Sequence, residues 1–252
     1  MVRILWKVDA LEPIFIGDSR TTHTNEAGVM SLLYGAYSKG LLCKPLDMRI
    51  DVSDKWPAKP STVGIGGTKE QVNDLVPSGF WYNWRETGMY DTQALIRTMV
   101  NIGQYPYLYD KLKWIGTHTH WLRKEAVEWS KQRYENDTDL QLVSWSDQDS
   151  GNKGVTTQGY ATMVEQARYY STLIDFPGLG YSQRLPILLA SGRPVIVVNR
   201  EIEAWFYHDG LIPWKHYIPA EPTVQGIEQA WEWVKKNRPV AENIGKQGQL
   251  CY

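Results

Sequence analysis

The sequence predicts an α/β protein built as two domains with mostly parallel sheets. Three observations carry that reading. Short apolar segments alternate with segments of helical periodicity through both halves of the chain. One of the apolar segments, Val195 to Val198, reads as a buried strand, a run without the apolar–polar alternation of a half-exposed one. Loops carrying glycine follow several of the predicted strands, at Gly17, Gly116 and Gly178, and a further strand has a glycine-rich end at Gly67. In an open α/β sheet the carboxyl ends of the strands are where ligands bind.

Composition bounds the function. A chain of 252 residues holds one large or two small domains. Hydrophobic content of 42% and charged content of 22% are those of an ordinary water-soluble globular fold. A net charge of −1 argues against nucleic acid as the main partner. Twelve Trp and fifteen Tyr stand against four Phe, an excess of rings with polar handles. Such rings stack on sugar faces, and they equally serve a packed core. Cys43 and Cys251 are the only cysteines, which excludes a disulfide framework and zinc-type spacing. No apolar segment approaches membrane-spanning length. The opening MVRILWKVDALEPIF lacks the long apolar region of a signal peptide, and the closing GQLCY is not a retention signal.

In chain order, Val2 to Val8 and Ile14 to Ile16 are the first strand candidates. A helical pattern from Asn25–Glu26 places Val29, Leu32, Leu33, Ala36 and Tyr37 on one face, and Gly40 stops it. Met48 to Val52 reads as a strand that delivers Asp54 to a loop at its carboxyl end. Thr62 to Gly67 is another short strand with a glycine-rich end, followed by Asp74, Pro77 and the aromatic block Phe80 to Trp84. Tyr90 to Ile102 is helical, and Gly103 to Pro106 breaks the pattern. The predicted domains are therefore 1–105, 106–239 and a C-terminal helix or tail at 240–252.

In the second half, Leu112 to Ile115 is a strand running into Gly116, Thr117, His118, Thr119, His120 and then a helix that carries Arg123. Alternation along a strand puts His118 and His120 on one face, but no further His or Cys accompanies them, so no metal site is expected. Asp137-Thr138-Asp139 has the form of a manganese-binding pair, yet it sits in a polar turn before a strand at Leu140 to Trp145. Tyr160 to Tyr170 is helical and Ser171 to Phe176 is the next strand. That strand feeds a loop with Pro177, Gly178, Gly180, Ser182 and Arg184. The apolar helix Leu185 to Ala190, a stop at Ser191–Gly192 and the strand Val195 to Val198 follow. A glycine loop opening a helix offers backbone N–H groups to an anion. Arg184, placed about one turn into that helix, adds a bidentate grip on phosphate. Val224 to Lys235 is an amphipathic helix ended by Arg238–Pro239, and a last helix is expected at Val240 to Gly248.

The order of residues from Asp175 to Pro219 resembles glycosyltransferase family 90, the capsule-associated xylosyltransferases and protein O-glucosyltransferases. Its shared pieces are Gly178, Ser182, Arg184, Ser191–Gly192, the strand at Val195, Glu203 with Trp205-Phe206-Tyr207, and Pro213 to Pro219. Ala204 separates Glu203 from Trp205 where the family usually has Glu beside the aromatic, and Glu201 is the rival for that position. Gly116, Thr117, Thr119 and Arg123 match the family's second donor-contacting block, and Ile50 to Asp54 matches a strand that ends in its catalytic Asp. Ser53 stands where relatives often have Arg.

The resemblance implies a GT-B fold, two Rossmann-like domains facing a cleft with the C-terminal helix crossing back. It implies a UDP-sugar donor, a glycan acceptor, inversion at the anomeric carbon, and no metal or other cofactor. Asp54 is then the base, with Asp74 the second candidate. Gly116, Thr117, Thr119, Arg123, Gly178, Gly180, Ser182, Arg184 and Glu203 hold the donor, and Trp81 and Trp84 floor the acceptor. Xylose is the expected sugar and glucose the alternative. A non-catalytic carbohydrate- or nucleotide-binding module is the rival from another class. A Rossmann oxidoreductase is disfavoured because the first strand is not followed by GxGxxG. Cellular relatives usually carry signal peptides and disulfides, so the expectation is a short cytoplasmic, monomeric form like those of large DNA viruses.

Overall fold

The structure is a computed structural model that describes residues 2–6, 14–17, 35–36, 38–40, 46–51, 63–64, 66–68, 92–143, 162–201, 203–204 and 210–251. It divides into two compact units. The first is formed by Met1–Leu95, Leu179–Tyr181 and Glu201–Asp209, the second by Ile96–Gly178, Ser182–Arg200 and Gly210–Tyr252.

The first unit holds strands β1 (Val2–Trp6), β2 (Ile14–Gly17), β3 (Leu46–Asp51) and β4 (Val63–Gly64), in the order β2-β1-β3-β4. Among the described strands of this unit β3 and β4 are parallel, and β1 runs antiparallel to both its neighbours. Among the described strands this sheet is mixed, where a mostly parallel one was expected. The connection from Trp6 to Ile14 is too short to hold a crossover, so β2 returns as the partner of a hairpin-like pair. Gly35, Ala36 and Ser38 are helical and Gly40 follows at φ +69°, the left-handed stop that its position in the sequence predicts. Gly67 and Glu203 exchange two backbone hydrogen bonds, at 3.0 and 2.9 Å, in an isolated antiparallel bridge.

The second unit is a five-stranded, all-parallel sheet of β5 (Tyr109–Gly116), β6 (Thr138–Leu142), β7 (Tyr170–Asp175), β8 (Val195–Val198) and β9 (Ile218–Ala220). Helices α1 (Thr92–Gly103), α2 (Trp121–Arg133), α3 (Met163–Tyr169), α4 (Leu185–Ala190), α5 (Val224–Lys236) and α6 (Arg238–Gln249) accompany it. The strand order is β6-β5-β7-β8-β9. Counted within the unit that is 2-1-3-4-5, a doubly wound Rossmann-like order whose topological switch point lies between β5 and β7.

Local chemistry explains the elements. Helix α3 starts at a capping box: Glu165 N–H donates to Thr162 Oγ1 (3.1 Å) and the Thr162 N–H to Glu165 Oε2 (2.7 Å). Helix α4 is only six residues long and stops at Gly192, whose φ of +68° an L side chain rarely adopts. Strand β6 begins at Thr138 rather than at Leu140, because Thr138 and Asp139 already pair with Leu112 and Lys113. Strand β9 escapes the sequence pattern since Pro219 sits at its centre. As the sheet's edge strand it tolerates the missing N–H.

Alternate residues of the sheet point to opposite faces. Trp114, Ile174, Ile196 and Ile218 face α2 and α5, where Leu122, Ile227 and Trp231 complete one buried core. Trp114 and Phe176 meet edge to face at 5.0 Å within it. The last helix begins at Arg238, with Pro239 in its first turn, so Arg238–Pro239 starts α6 as well as ending α5. Ala241 and Ile244 of α6 join the same core. A Cβ on Gly245 would lie 2.5 Å from the Gly192 carbonyl oxygen, which is how closely α6 packs on the turn after α4. The last helix is thus part of the second unit, not a separate tail.

Candidate functional site

The switch point is bounded by Gly116 at the end of β5 and Asp175 at the end of β7. The loops that leave it are 117–120 and 176–184. A turn closed by Thr119 N–H donating to Thr117 O (2.9 Å) leads to His120, the N-cap of α2. His120 has extended backbone, and its Nδ1 accepts from Leu122 N–H at 3.3 Å. That bond fixes Nδ1 as unprotonated. Burial pushes the imidazole's pKa down, and the Arg123 and Arg200 charges push it further, so the ring is kept neutral. His118 is exposed in the same loop, not in a strand, so the alternation expected of the two histidines does not occur.

One turn into α2, Arg123 reaches back under both loops. Its Nε donates to Pro177 O (2.8 Å), Nη1 to Thr117 O (2.9 Å) and Nη2 to Phe176 O (3.5 Å). Its guanidinium lies over the Trp114 ring at 5.3 Å. A Cβ on Gly178 would stand 3.1 Å from Arg123 Nη2 and 3.6 Å from Thr119 Oγ1. The glycine therefore lets the loop close down on the arginine. Burial lowers the Arg123 pKa to about 10; Arg184 and Arg200 act in the same direction and Asp175 opposes them.

Arg184 donates from Nη1 to Ile115 O at 3.0 Å, which brings it to the end of β5. It precedes α4 as its N-cap residue instead of lying a turn inside the helix, because Pro186 fixes the helix start immediately after it. Ser182 donates to Asp175 Oδ1 at 2.9 Å. Asp175 Oδ2 lies 2.8 Å from Arg200 Nη2, in an ion pair whose side chains are 1% and 3% exposed.

Gly116, Thr117, Thr119, Arg123, Gly178, Ser182 and Arg184 thus gather around one pair of strand ends. Gly180 and Glu203 belong to the first unit, where Glu203 is engaged by Gly67 through its backbone. Asp54, Asp74, Trp81, Trp84 and the Trp205 to Tyr207 block lie outside the described residues. Two residues at the switch point were not singled out by the sequence, Asp175 and Arg200. Their signal was positional: each lies at or just beyond the carboxyl end of a predicted strand. Together the site gathers three guanidinium groups around one carboxylate, an excess of positive charge at a partly covered surface, which suits a polyanionic ligand.

The Asp137–Asp139 pair has structural roles. Asp137 is bridged by Lys235 at 3.0 Å, and Asp139 by the buried Lys113 at 2.8 Å and by the Tyr170 hydroxyl. Among the described residues no group of three or more His, Cys, Asp or Glu is placed to hold a metal ion. A groove of about 570 Å³ lies between α2 and α5, lined by Glu125, Glu128, Trp129 and Glu228 among others. None of its lining comes from the switch-point loops.

The profile of glycosyl transferase family 90 matches residues 67–251, the greater part of the chain and all of the switch-point site. The chain belongs to glycosyl transferase family 90. Among curated proteins, this family 90 chain is 34% identical over 79 residues to mouse protein O-glucosyltransferase 1, covering 31% of the chain and 20% of that protein. It is 24% identical over 149 residues to human protein O-glucosyltransferase 3, covering 54% and 29%. It is 36% identical over 81 residues to the fruit fly (Drosophila melanogaster) O-glucosyltransferase rumi, covering 31% and 20%. The matched part therefore spans about a fifth to under a third of those relatives' lengths. Among the described residues of the family 90 chain no helix is long and apolar enough to cross a membrane.

Proposed function

We propose that the chain is an inverting, metal-independent glycosyltransferase that moves a sugar from a UDP-sugar to a hydroxyl of a glycan acceptor. The observation that carries the donor half of this reading is the set of three arginines at the switch point, around a single carboxylate. A sugar nucleotide leaves as UDP, and its diphosphate gains negative charge as the glycosidic bond breaks. Arg123 and Arg184, held in place by backbone carbonyls, act as preorganised cations for that charge. In this reading the acceptor oxygen attacks the anomeric carbon while the bond to the β-phosphate oxygen breaks and its electron pair departs with UDP. Asp54 takes the acceptor's proton, and an α-linked donor yields a β-linked product. Asp54 enters on its match to the family's catalytic Asp, and Asp74 is the second candidate. The two units serve as the two lobes of a GT-B enzyme, with the donor on the second.

Xylose is the sugar expected from the sequence. A second reading, with glucose as the sugar and a protein as the acceptor, is favoured by the names of the relatives, which are protein O-glucosyltransferases. The deciding experiment measures turnover of UDP-xylose, UDP-glucose and UDP-galactose in EDTA and in manganese, with UDP binding followed by calorimetry. Selective turnover of one donor in EDTA is expected, and it names the sugar. Asp54→Asn is expected to abolish turnover and leave UDP binding near wild type. Absence of UDP binding by the wild-type chain overturns the donor reading, and a manganese requirement overturns metal independence.

A further inference from the structure

The donor reading above counts Asp175 and Arg200 only toward the charge gathered at the site and gives neither a role of its own, although both sit at the strand ends that frame it. We propose that the buried Asp175–Arg200 pair sets the charge that the donor site presents: Asp175 orients Ser182 and anchors the glycine loop, and Arg200 cancels the carboxylate so that Arg123 and Arg184 act on a diphosphate undiminished. This inference rests on the UDP-sugar reading.

The argument starts from a proton count. A serine hydroxyl has one proton. A carboxylate can only accept, so the 2.9 Å bond between Ser182 Oγ and Asp175 Oδ1 commits that proton to Asp175. Toward the ligand side Ser182 then has only lone pairs, which do not bind phosphate oxygens. Ser182 is therefore a positioning residue: it ties the loop of Pro177 and Gly178 to the end of β7. The anchor for that tie is a carboxylate that is 1% exposed.

A buried carboxylate has a cost beyond its own desolvation. It stands at the end of a strand that delivers a loop to the anion site, and its charge opposes that of any phosphate bound there. Arg200 removes that opposition. Its Nη2 lies 2.8 Å from Asp175 Oδ2 and also donates to the Asp175 and Val198 carbonyl oxygens at 3.2 and 3.3 Å. The Arg200 side chain is 3% exposed, so it is walled in at the ends of β7 and β8 and acts through the field it cancels rather than by touching the ligand. Asp175 and Arg200 act on the Arg123 guanidinium with opposite signs, which places all three groups in one field. Inside a protein a unit charge several ångströms from a phosphate is worth far more than in water.

The test compares UDP affinity by calorimetry, and thermal stability, for the wild type, Arg200→Met, Asp175→Asn and the double variant. Arg200→Met leaves the carboxylate uncompensated and is expected to weaken UDP binding by about tenfold or more. Asp175→Asn leaves Arg200 uncompensated and is expected to tighten it. The double variant is expected to return close to wild type. A purely structural pair gives a different pattern: both single variants lose stability and their folded fractions bind UDP alike. That pattern overturns the inference while leaving the UDP reading standing. Failure of the wild type to bind UDP removes the reading on which the inference rests. Should Arg200→Met not fold, Arg200→Lys and the double variant decide, since both keep the pair neutral overall. Tighter UDP binding by Asp175→Asn, with affinity close to wild type in those two, supports the inference; the same affinity in Asp175→Asn as in the charge-neutral variants overturns it.

Discussion

Arg123 shows how one side chain serves structure and charge together. Its fork spans carbonyls on two loops, Thr117 on one and Phe176 and Pro177 on the other, and its face covers Trp114. A lysine offers a point charge on a flexible stem and cannot hold three acceptors in a plane. Arg123→Lys is therefore expected to cost about 1–3 kcal/mol of stability. It should also weaken UDP binding, although the formal charge is unchanged. Chemical denaturation and calorimetry on the same protein check both. Stability and affinity equal to wild type would show that charge alone is what the position requires. The family resemblance implied that Arg123 holds the donor, and nothing in its spacing revealed the carbonyls it also holds. Arg200 carries no such mark: it lies two positions beyond Val198, where the β-branched pattern of the strand ends.

At the scale of elements, the turn from Gly210 to Tyr217 is held by a histidine. His216 Nδ1 accepts from Ile212 N–H at 3.1 Å, and the residue is 7% exposed. The turn also contains Trp214 at φ +64°, a conformation that a bulky residue adopts only when its surroundings hold it there. Trp214 N–H donates to Tyr217 O (2.8 Å), and its ring meets Trp233 edge to face at 4.8 Å. Burial lowers the His216 pKa, with the Lys215 charge adding to it and the Gly210 backbone bond opposing. Above the unfolded value of about 6.5 the ring is neutral in both states and has no effect on the balance. As pH falls from there through the lowered folded value, the unfolded chain takes up a proton that the native chain resists, and stability is lost. His216→Gln keeps an acceptor for Ile212 without a titrating group. It is expected to show a smaller stability difference between pH 7.5 and 5.5 than the wild type, measured by denaturant melts. Equal differences would remove His216 from the acid response.

How legible an element was depended on what fixes it. Strand β8 was read residue for residue, since Val195 to Val198 is buried on both faces and needs no partner to declare itself. Strand β9 was hidden by Pro219, which only an edge position permits. The antiparallel course of β1 is a property of pairing, and periodicity within a segment carries no information about direction. Helix α4 was read with its observed bounds, Leu185 to Ala190, while Arg184, expected a turn inside it, is its N-cap.

The whole molecule carries a net charge of −1, which on average should not attract a nucleoside diphosphate. Affinity must therefore come from arrangement. The parallel order of the second unit's sheet brings the ends of β5 and β7 together at one point, and Arg123, Arg184 and Arg200 gather there from 77 positions of sequence. The glycine loop before α4 pointed to Arg184, and the family resemblance to Arg123. Only the strand order explains why they meet, and the order was not readable from the chain because it depends on which strands pair. If local charge dominates, UDP binding will weaken steadily as salt is raised from about 10 to about 500 mM, over which the screening length falls from about 30 Å to under 10 Å. The attraction of the cluster is partly buried, so a residual affinity will persist at the upper end. A chain whose UDP binding does not respond to salt, or strengthens with it as the overall charge would predict, would place the nucleotide away from these arginines.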